Sequence, residues 1–208
     1  MEPLAKPLYS RTAIYRAKSW YVNMGKPLMD VTVSFFGLLL TFPLMMVIAL
    51  WIRLDSPGPV LFRQSRIGKD GKEFQIYKFR TMHVHVPSQG RSPESNRDPR
   101  ITRAGHFLRK TSLDELPQLI NILKGDMSLV GPRPEQKLIV EKYYTWHERQ
   151  RFLVKPGITG PWQISGDRTK PIHENLEHDL RYIRTISLKT DLKVLIQTLL
   201  VMIRSNTY

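Results

Sequence analysis

At 208 residues the chain has room for one ordinary domain with a real core and for short appendages, but not for two large domains. Its formal net charge of +14 calls for anionic partners, whether nucleic acid, anionic lipid or a phosphorylated substrate. The absence of cysteine excludes disulfides, thiolate catalysis and cysteine-ligated zinc.

In chain order, the stretch YSRTAIYRAKSWYVNMG, ending at Gly25, mixes aromatics with Arg and Lys as an interfacial helix does; a solvated tail is the alternative. Mean hydropathy is low, at −0.30, so the apolar excess that follows is local. From Val31 to Ile52 the chain runs 22 residues without a charge, against the ~20 that span a bilayer. Asp30 at its edge and the lack of a small-residue cleavage site after it argue against a signal peptide.

Length alone favours a single transmembrane helix, but two features favour a segment that enters and leaves on one face. Pro43 lies near the middle, where it removes a backbone hydrogen bond and crowds the preceding turn. Both flanks are basic, with Lys6, Arg11, Arg16, Lys18 and Lys26 before it and Arg53, Arg63, Arg66, Lys69 and Lys72 after it. A spanning helix has one flank poorer in Lys and Arg. Two arms of ~12–15 residues would each be ~18–22 Å long, too short to cross alone. Thr41, two residues before the proline, offers a hydroxyl to a carbonyl freed by the break.

Ser56 to Pro59, SPGP, marks a turn, and VLFRQ and EFQIYKFR read as a β-hairpin around IGKDGK. Residues 83–100 are rich in Pro, Ser and Arg and read as a long loop; His83 and His85 within it lack the further ligands a metal site needs. Helix signals follow at 106–110, 115–124 and 135–151. KPGITGPWQISGDR then reads as irregular because of its glycines and prolines. Apolar residues at 188, 192, 195, 196, 199, 202 and 203 define one face of a C-terminal helix. Packing of that face against the domain is preferred to lying on lipid.

Ser112-Leu113-Asp114-Glu115 taken alone is a helix capping box. Pro117 argues against it, since a helix capped at Ser112 would meet the proline at its fifth residue; a start at Asp114 or Glu115 fits better. Both carboxylates then sit at the positive end of a helix, which favours their ionised form. An ionised Asp114 is a candidate nucleophile and Glu115 a candidate cation ligand. Arg109 lies five residues upstream, and GPRP holds Arg133 between two prolines; an arginine fork binds phosphate bidentately. Acids, arginines and a membrane segment together suggest a phosphorylated substrate and a lipid partner.

The blocks DPRITRAGHFLRKTSLDELPQLINILKGDMSLVGPRP, FRQSRIGKDGKEFQIYKFRTM and KPGITGPWQISG resemble the bacterial sugar transferases, the monotopic phosphoglycosyl transferases, over roughly residues 25–205. The resemblance implies transfer of a sugar 1-phosphate from a UDP-sugar to polyprenyl phosphate, beginning a glycan for export. It implies Mg²⁺ dependence and a seat on a re-entrant helix in the cytoplasmic leaflet of the inner membrane. Asp114 takes the nucleophile's place, Glu115 that of its dyad partner and metal ligand with Asp114, and Arg109 and Arg133 those of phosphate-contacting arginines. Lys78, Arg80 and Arg168 join the substrate-binding set. The family often has Ser-Pro where this chain has Thr41-Phe42-Pro43, and Gly-Arg where Asp167 here separates Gly166 from Arg168.

The expected fold is mixed α/β and mainly helical. It comprises a basic interfacial segment over 1–26, a re-entrant helix broken at Pro43 over 27–55 and a cytosolic catalytic domain over 56–208, with a homo-oligomer as a possible assembly. Two rival readings fit the charge: a membrane-tethered nucleic-acid-binding protein, although no recognition-helix or stacking motif is present, and a structural membrane anchor.

Overall fold

The computed structural model describes residues 20–86 and 98–204, apart from the side chains of Thr169 and Arg204. Most of the expected interfacial segment and residues 87–97 of the polar loop lie outside the described residues. Tyr21–Gly25 is a π-helical turn that leads directly into helix α1, Lys26–Asp55. Pro27 falls in the first turn, where its missing N–H costs nothing.

Pro43 lies inside α1, which continues through it as a single helix, so the expected division into two helical arms is corrected. The bond lost at the proline is one among many, and the helical ladder continues on either side of it. Thr41 Oγ1 donates to Gly37 O at 2.6 Å, one turn back, rather than to the Leu39 carbonyl that a proline at 43 leaves without its usual donor. One narrow stripe of α1, marked by Asp30, Ser34, Ile48 and Ile52, is buried. Leu28, Phe36, Leu40, Val47 and Leu54 are among the large apolar residues left exposed.

Both ends of α1 are fastened to the same domain. At the start, Lys26 Nζ donates to Val130 O at 2.9 Å and to Asp191 Oδ2 at 2.6 Å, and Asp30 Oδ1 accepts from Leu129 N at 3.0 Å. At the end, Asp55 Oδ2 accepts from Ala104 N at 3.0 Å. Ile48 and Ile52 pack with Phe79 and Leu108.

Strands β1 (Leu61–Ile67) and β2 (Glu73–Phe79) form the expected antiparallel hairpin, with Leu61 opposite Phe79 and Ile67 opposite Glu73. Its turn uses left-handed backbone at Asp70 and Gly71. Helix α2 (Arg103–Lys110) is capped by Thr102, whose side chain accepts from Gly105 N. Helix α3 (Gln118–Leu123) leads to β3 (Ser128–Val130), followed by α4 (Lys137–Tyr143) and a 3₁₀ run over Glu148–Leu153.

The segment read as irregular contains β4 (Gly157–Thr159) and α5 (Pro161–Ile164), a correction with a physical cause. Gly157 approaches Gly131 so closely that a Cβ on it would fall 2.2 Å from Gly131 N, so here glycine permits a strand instead of breaking one. β4 pairs in parallel with β3, Ser128 opposite Gly157 and Val130 opposite Thr159. Pro161 opens α5 at a position where proline is tolerated.

Helices α6 (Glu177–Thr185) and α7 (Leu188–Arg204) complete the fold. Ile76, Ile122, Met127, Val130, Leu180 and Tyr182 form its main core. The orientation expected for α7 is reversed. Leu188, Leu192, Ile196, Leu199, Met202 and Ile203 face outward, with Ile203 82 % exposed, while Asp191 is wholly buried. Asp191 sets the orientation, because it accepts from Tyr182 OH and Tyr21 OH, each at 2.7 Å, as well as from Lys26. Thr198 and Thr159 hydroxyls share a 2.6 Å bond farther along the same inner side.

Candidate active site

The acid pair sits where α2 gives way to α3. After Lys110 the chain turns through Ser112, whose left-handed backbone (φ 57°) is strained for a residue with a Cβ. A 3₁₀ turn over Leu113–Glu115 follows, and α3 begins only at Gln118, with Pro117 as its cap residue. The capping box is not formed, and the helix starts later than Asp114 or Glu115. Leu113 and Leu116 pack toward Ile48, Ile52, Phe79 and Leu108, which leaves the two acids between them to face β2.

On β2, Lys78 Nζ donates to Glu115 Oε1 at 2.6 Å. The fully buried Asn121 of α3 sets this meeting: its Oδ1 accepts from Tyr77 N at 3.0 Å and its Nδ2 donates to Gln75 O at 2.7 Å, locking β2 against α3. Arg133, in the loop after β3, lies 3.5 Å from the same Glu115 oxygen. Arg109 occupies the last turn of α2, a position that suits a cation, and its charge acts on Asp114. Lys78, Arg109 and Arg133 thus converge on one pair of carboxylates.

The two acids are driven apart. Burial pushes the Asp114 carboxyl up to about 6; Glu115 beside it adds to the rise, and Lys78, Arg109 and Arg133 oppose it. Burial also acts to raise Glu115, but Lys78 and Arg133 outweigh it and hold that carboxyl down at about 2. The expectation that both sites favour the ionised form holds for Glu115 alone. Adjacent acids with separated pKa values are suited to different tasks.

Arg80 is placed elsewhere. It is 5 % exposed, and its guanidinium donates to Pro57 O and Ser56 O, each at 2.7 Å, and to Ser56 Oγ at 2.9 Å, so it clamps the end of α1. Arg168 sits on the short turn Gly166–Thr169, whose Asp167 is bound by Lys170 and His178. His83 and His85 stack on each other, their ring centroids 5.5 Å apart. Among the described residues no three or more His, Asp or Glu cluster as metal ligands. Asp114 and Glu115 do supply the one or two carboxylates Mg²⁺ takes when substrate phosphates complete its shell.

The model of the family described as "Bacterial sugar transferase" matches residues 21–205. The chain belongs to this family. It is 45 % identical over 176 residues, 81 % of its length, to the UDP-glucose:undecaprenyl-phosphate glucose-1-phosphate transferase of Escherichia coli (strain K12), of which the match covers 38 %. It is 39 % identical over 180 residues to the UDP-N-acetylgalactosamine-undecaprenyl-phosphate N-acetylgalactosaminephosphotransferase of Aeromonas hydrophila, covering 82 % of this chain and 42 % of that one. A Caulobacter vibrioides protein with the same name as the E. coli relative is 41 % identical over 185 residues, covering 85 % of this chain and 69 % of its own. The matched region is thus about two fifths of the length of the first two relatives.

In this bacterial sugar transferase, several residues that shape the site gave no motif signal. Asn121 is one. Another is Arg66, whose Nη1 donates to Pro134 O at 3.2 Å and whose Nη2 donates to Gln64 Oε1 at 2.6 Å. Arg151 and Asp179 form an ion pair with both side chains 0 % exposed. An arginine and an aspartate in polar stretches look like surface residues until the fold brings them together.

Proposed function

We propose that the protein transfers a sugar 1-phosphate from a UDP-sugar to polyprenyl phosphate, releasing UMP. The observation that carries this reading is the convergence of Lys78, Arg109 and Arg133 on the adjacent Asp114 and Glu115. The relatives' names, which specify UDP-sugars and undecaprenyl phosphate, support the substrate classes.

In the first step an Asp114 carboxylate oxygen attacks the sugar-bearing phosphorus, and the bond to the UMP oxygen breaks. UMP leaves with that electron pair, and the sugar phosphate is left as an acyl phosphate on Asp114. In the second step a polyprenyl phosphate oxygen attacks the same phosphorus, the bond to Asp114 breaks and the carboxylate returns. Arg133 and Arg109 bind phosphoryl oxygens and stabilise charge as it develops, while Lys78 keeps Glu115 ionised. Mg²⁺, held by Glu115 and Asp114 together with substrate phosphates, would supply further charge neutralisation. The lipid product begins a glycan.

A seat on one face of the bacterial inner membrane, the cytoplasmic one, belongs to the same proposal. α1 lies within the Tyr21–Asp55 stretch, which is long and apolar enough to cross a membrane. At 1.5 Å per residue it is ~45 Å long, and the domain holds both its ends. Crossing the bilayer would draw that domain into a hydrocarbon layer ~30 Å thick. The outward apolar face of α7, with Lys189 and Lys193 beside Leu188, Leu192 and Ile196, also suits anionic lipid, and supports the lipid reading of that helix over packing.

The test follows the leaving group. Incubated with UDP-sugar alone, the enzyme should release at most one UMP per protein and keep the sugar label. Adding polyprenyl phosphate should then move the label to the lipid phase. Release of UDP, or no label on acid-quenched protein, removes the covalent mechanism.

A further inference from the structure

We infer that Arg151, paired with Asp179 and Tyr144, is a positioning residue for Arg133 and acts through the main chain of the loop that carries it. The inference rests on the reading of Arg133 as a phosphate-binding group. Pro132 and Pro134 have no N–H, so the loop is tied mainly through its carbonyls. Four successive carbonyls are all engaged. Pro132 O accepts from Gly157 N at 2.9 Å, and Glu135 O from Ile67 N at 3.0 Å. Between them, Arg133 O accepts from Arg151 Nη2 at 2.7 Å and Pro134 O from Arg66 Nη1 at 3.2 Å.

Arg151 is itself held at both terminal nitrogens. It is 1 % exposed, its Nη2 also donates to Asp179 Oδ2 at 2.6 Å, and its Nη1 donates to Tyr144 OH at 2.6 Å. Its guanidinium lies 5.7 Å from the Tyr144 ring centroid. A fully buried ion pair is a poor source of stability, because well-packed apolar side chains of similar volume serve as well or better. What it supplies here is a planar donor with a fixed direction. That donor sets the backbone at Arg133, whose partly exposed side chain extends toward Glu115. A chain of direct contacts therefore runs from α6 to the acid pair.

The test uses the full chain in detergent, with UDP binding followed by calorimetry and melting temperature measured alongside. The double replacement Arg151→Met/Asp179→Leu removes the donor without leaving a buried unpaired charge. We expect it to melt at or above the wild-type temperature and to weaken UDP binding about 10- to 100-fold. Arg133→Ala should weaken binding in the wild type and add nothing in this background, the signature of two residues acting as one unit. Tyr144→Phe, which keeps the ion pair and removes one tether, should give a smaller shift of the same sign. If the double variant does not fold, the same comparison with Arg133→Ala is made on Tyr144→Phe.

A folded double variant that binds UDP like the wild type overturns the proposal, as does a full additive cost of Arg133→Ala within it. If Arg133→Ala leaves wild-type binding unchanged, or the wild type binds no UDP, the phosphate role of Arg133 fails first and takes this inference with it.

Discussion

Lys78 and Glu115 meet at 2.6 Å, Nζ to Oε1, although 37 residues separate them in sequence. The ammonium lowers Glu115 through both its charge and a hydrogen bond but acts on Asp114 through charge alone, so it widens the gap between two acids that burial pushes upward.

Replacing Lys78 with Met should therefore raise the pKa of both acids. The proposed attack needs Asp114 ionised, so the acid limb of the pH profile of kcat/KM should move from near 6 to higher pH. At pH 7 the loss in rate should be on the order of 100-fold, the scale of one charge-stabilising donor. An unmoved acid limb would show that Lys78 does not set the acids' ionisation.

The acids should affect stability in opposite directions. Asp114 binds its proton more tightly in the folded state, at about 6 against 3.8 for the free group, so its contribution to stability falls as pH rises from about 4 to about 6. Glu115 binds its proton less tightly when folded, at about 2 against 4.5, so its contribution is present above about 4.5 and lost as pH falls toward about 2. At pH 7, Asp114→Asn should raise the melting temperature while abolishing turnover, and Glu115→Gln should lower it. Thermal scans of the two variants against wild type decide this, and a destabilised Asp114→Asn protein would contradict it.

Arg80 presents the reverse case, a cation spent on the fold. Arg80→Ala should cost about 1–3 kcal/mol of stability by orphaning the carbonyls of Ser56 and Pro57. The KM for UDP-sugar in the surviving folded protein should be unchanged, and a large rise in KM would return Arg80 to the substrate site.

What was legible in the sequence follows the range of the interactions. The β1–β2 hairpin was legible because its alternating pattern and its turn are local. Asp114, Glu115, Arg109 and Arg133 stood out because the motifs lie within 25 residues of chain, Arg109 to Arg133. Arg80 resembles Lys78, two residues before it at the end of β2, and only the fold shows that one clamps a helix end while the other faces an acid. The orientation of α7 was unreadable for a similar reason. An apolar stripe predicts burial unless a buried acid such as Asp191 finds Lys26 and two tyrosines on the opposite side. Asp114 was misjudged in ionisation because desolvation depends on packing, which no local pattern reports.

The chain has no native cysteine, so its topology can be tested with single labels. Cysteines placed singly at the exposed Asn23 and Lys69, on either side of α1, should both resist a membrane-impermeant thiol reagent applied outside intact cells. Labelling of one alone would mean that α1 spans the bilayer.

Changing Ile196 to Asp places a charge on the outward face of α7, where the native side chain is 58 % exposed. Stability in detergent should be nearly unchanged, while the fraction recovered with vesicles containing anionic lipid should fall. A variant that loses stability and keeps its vesicle binding would assign that face to protein packing.

The two-ended fastening of α1 has a mechanical consequence. A membrane helix usually meets a thinner or thicker bilayer by tilting, at a cost of fractions of a kcal/mol per Å. Tilting α1 relative to its domain would pull Lys26 from Asp191 at one end and Asp55 from Ala104 at the other, so the helix and domain move as one rigid float. On the proposed one-sided seat the lipid would then have to deform around the protein. Asp114 and Glu115 would ride at one fixed height above the headgroup phosphates, where that proposal has a lipid-borne phosphate arrive, whatever the length of the surrounding acyl chains.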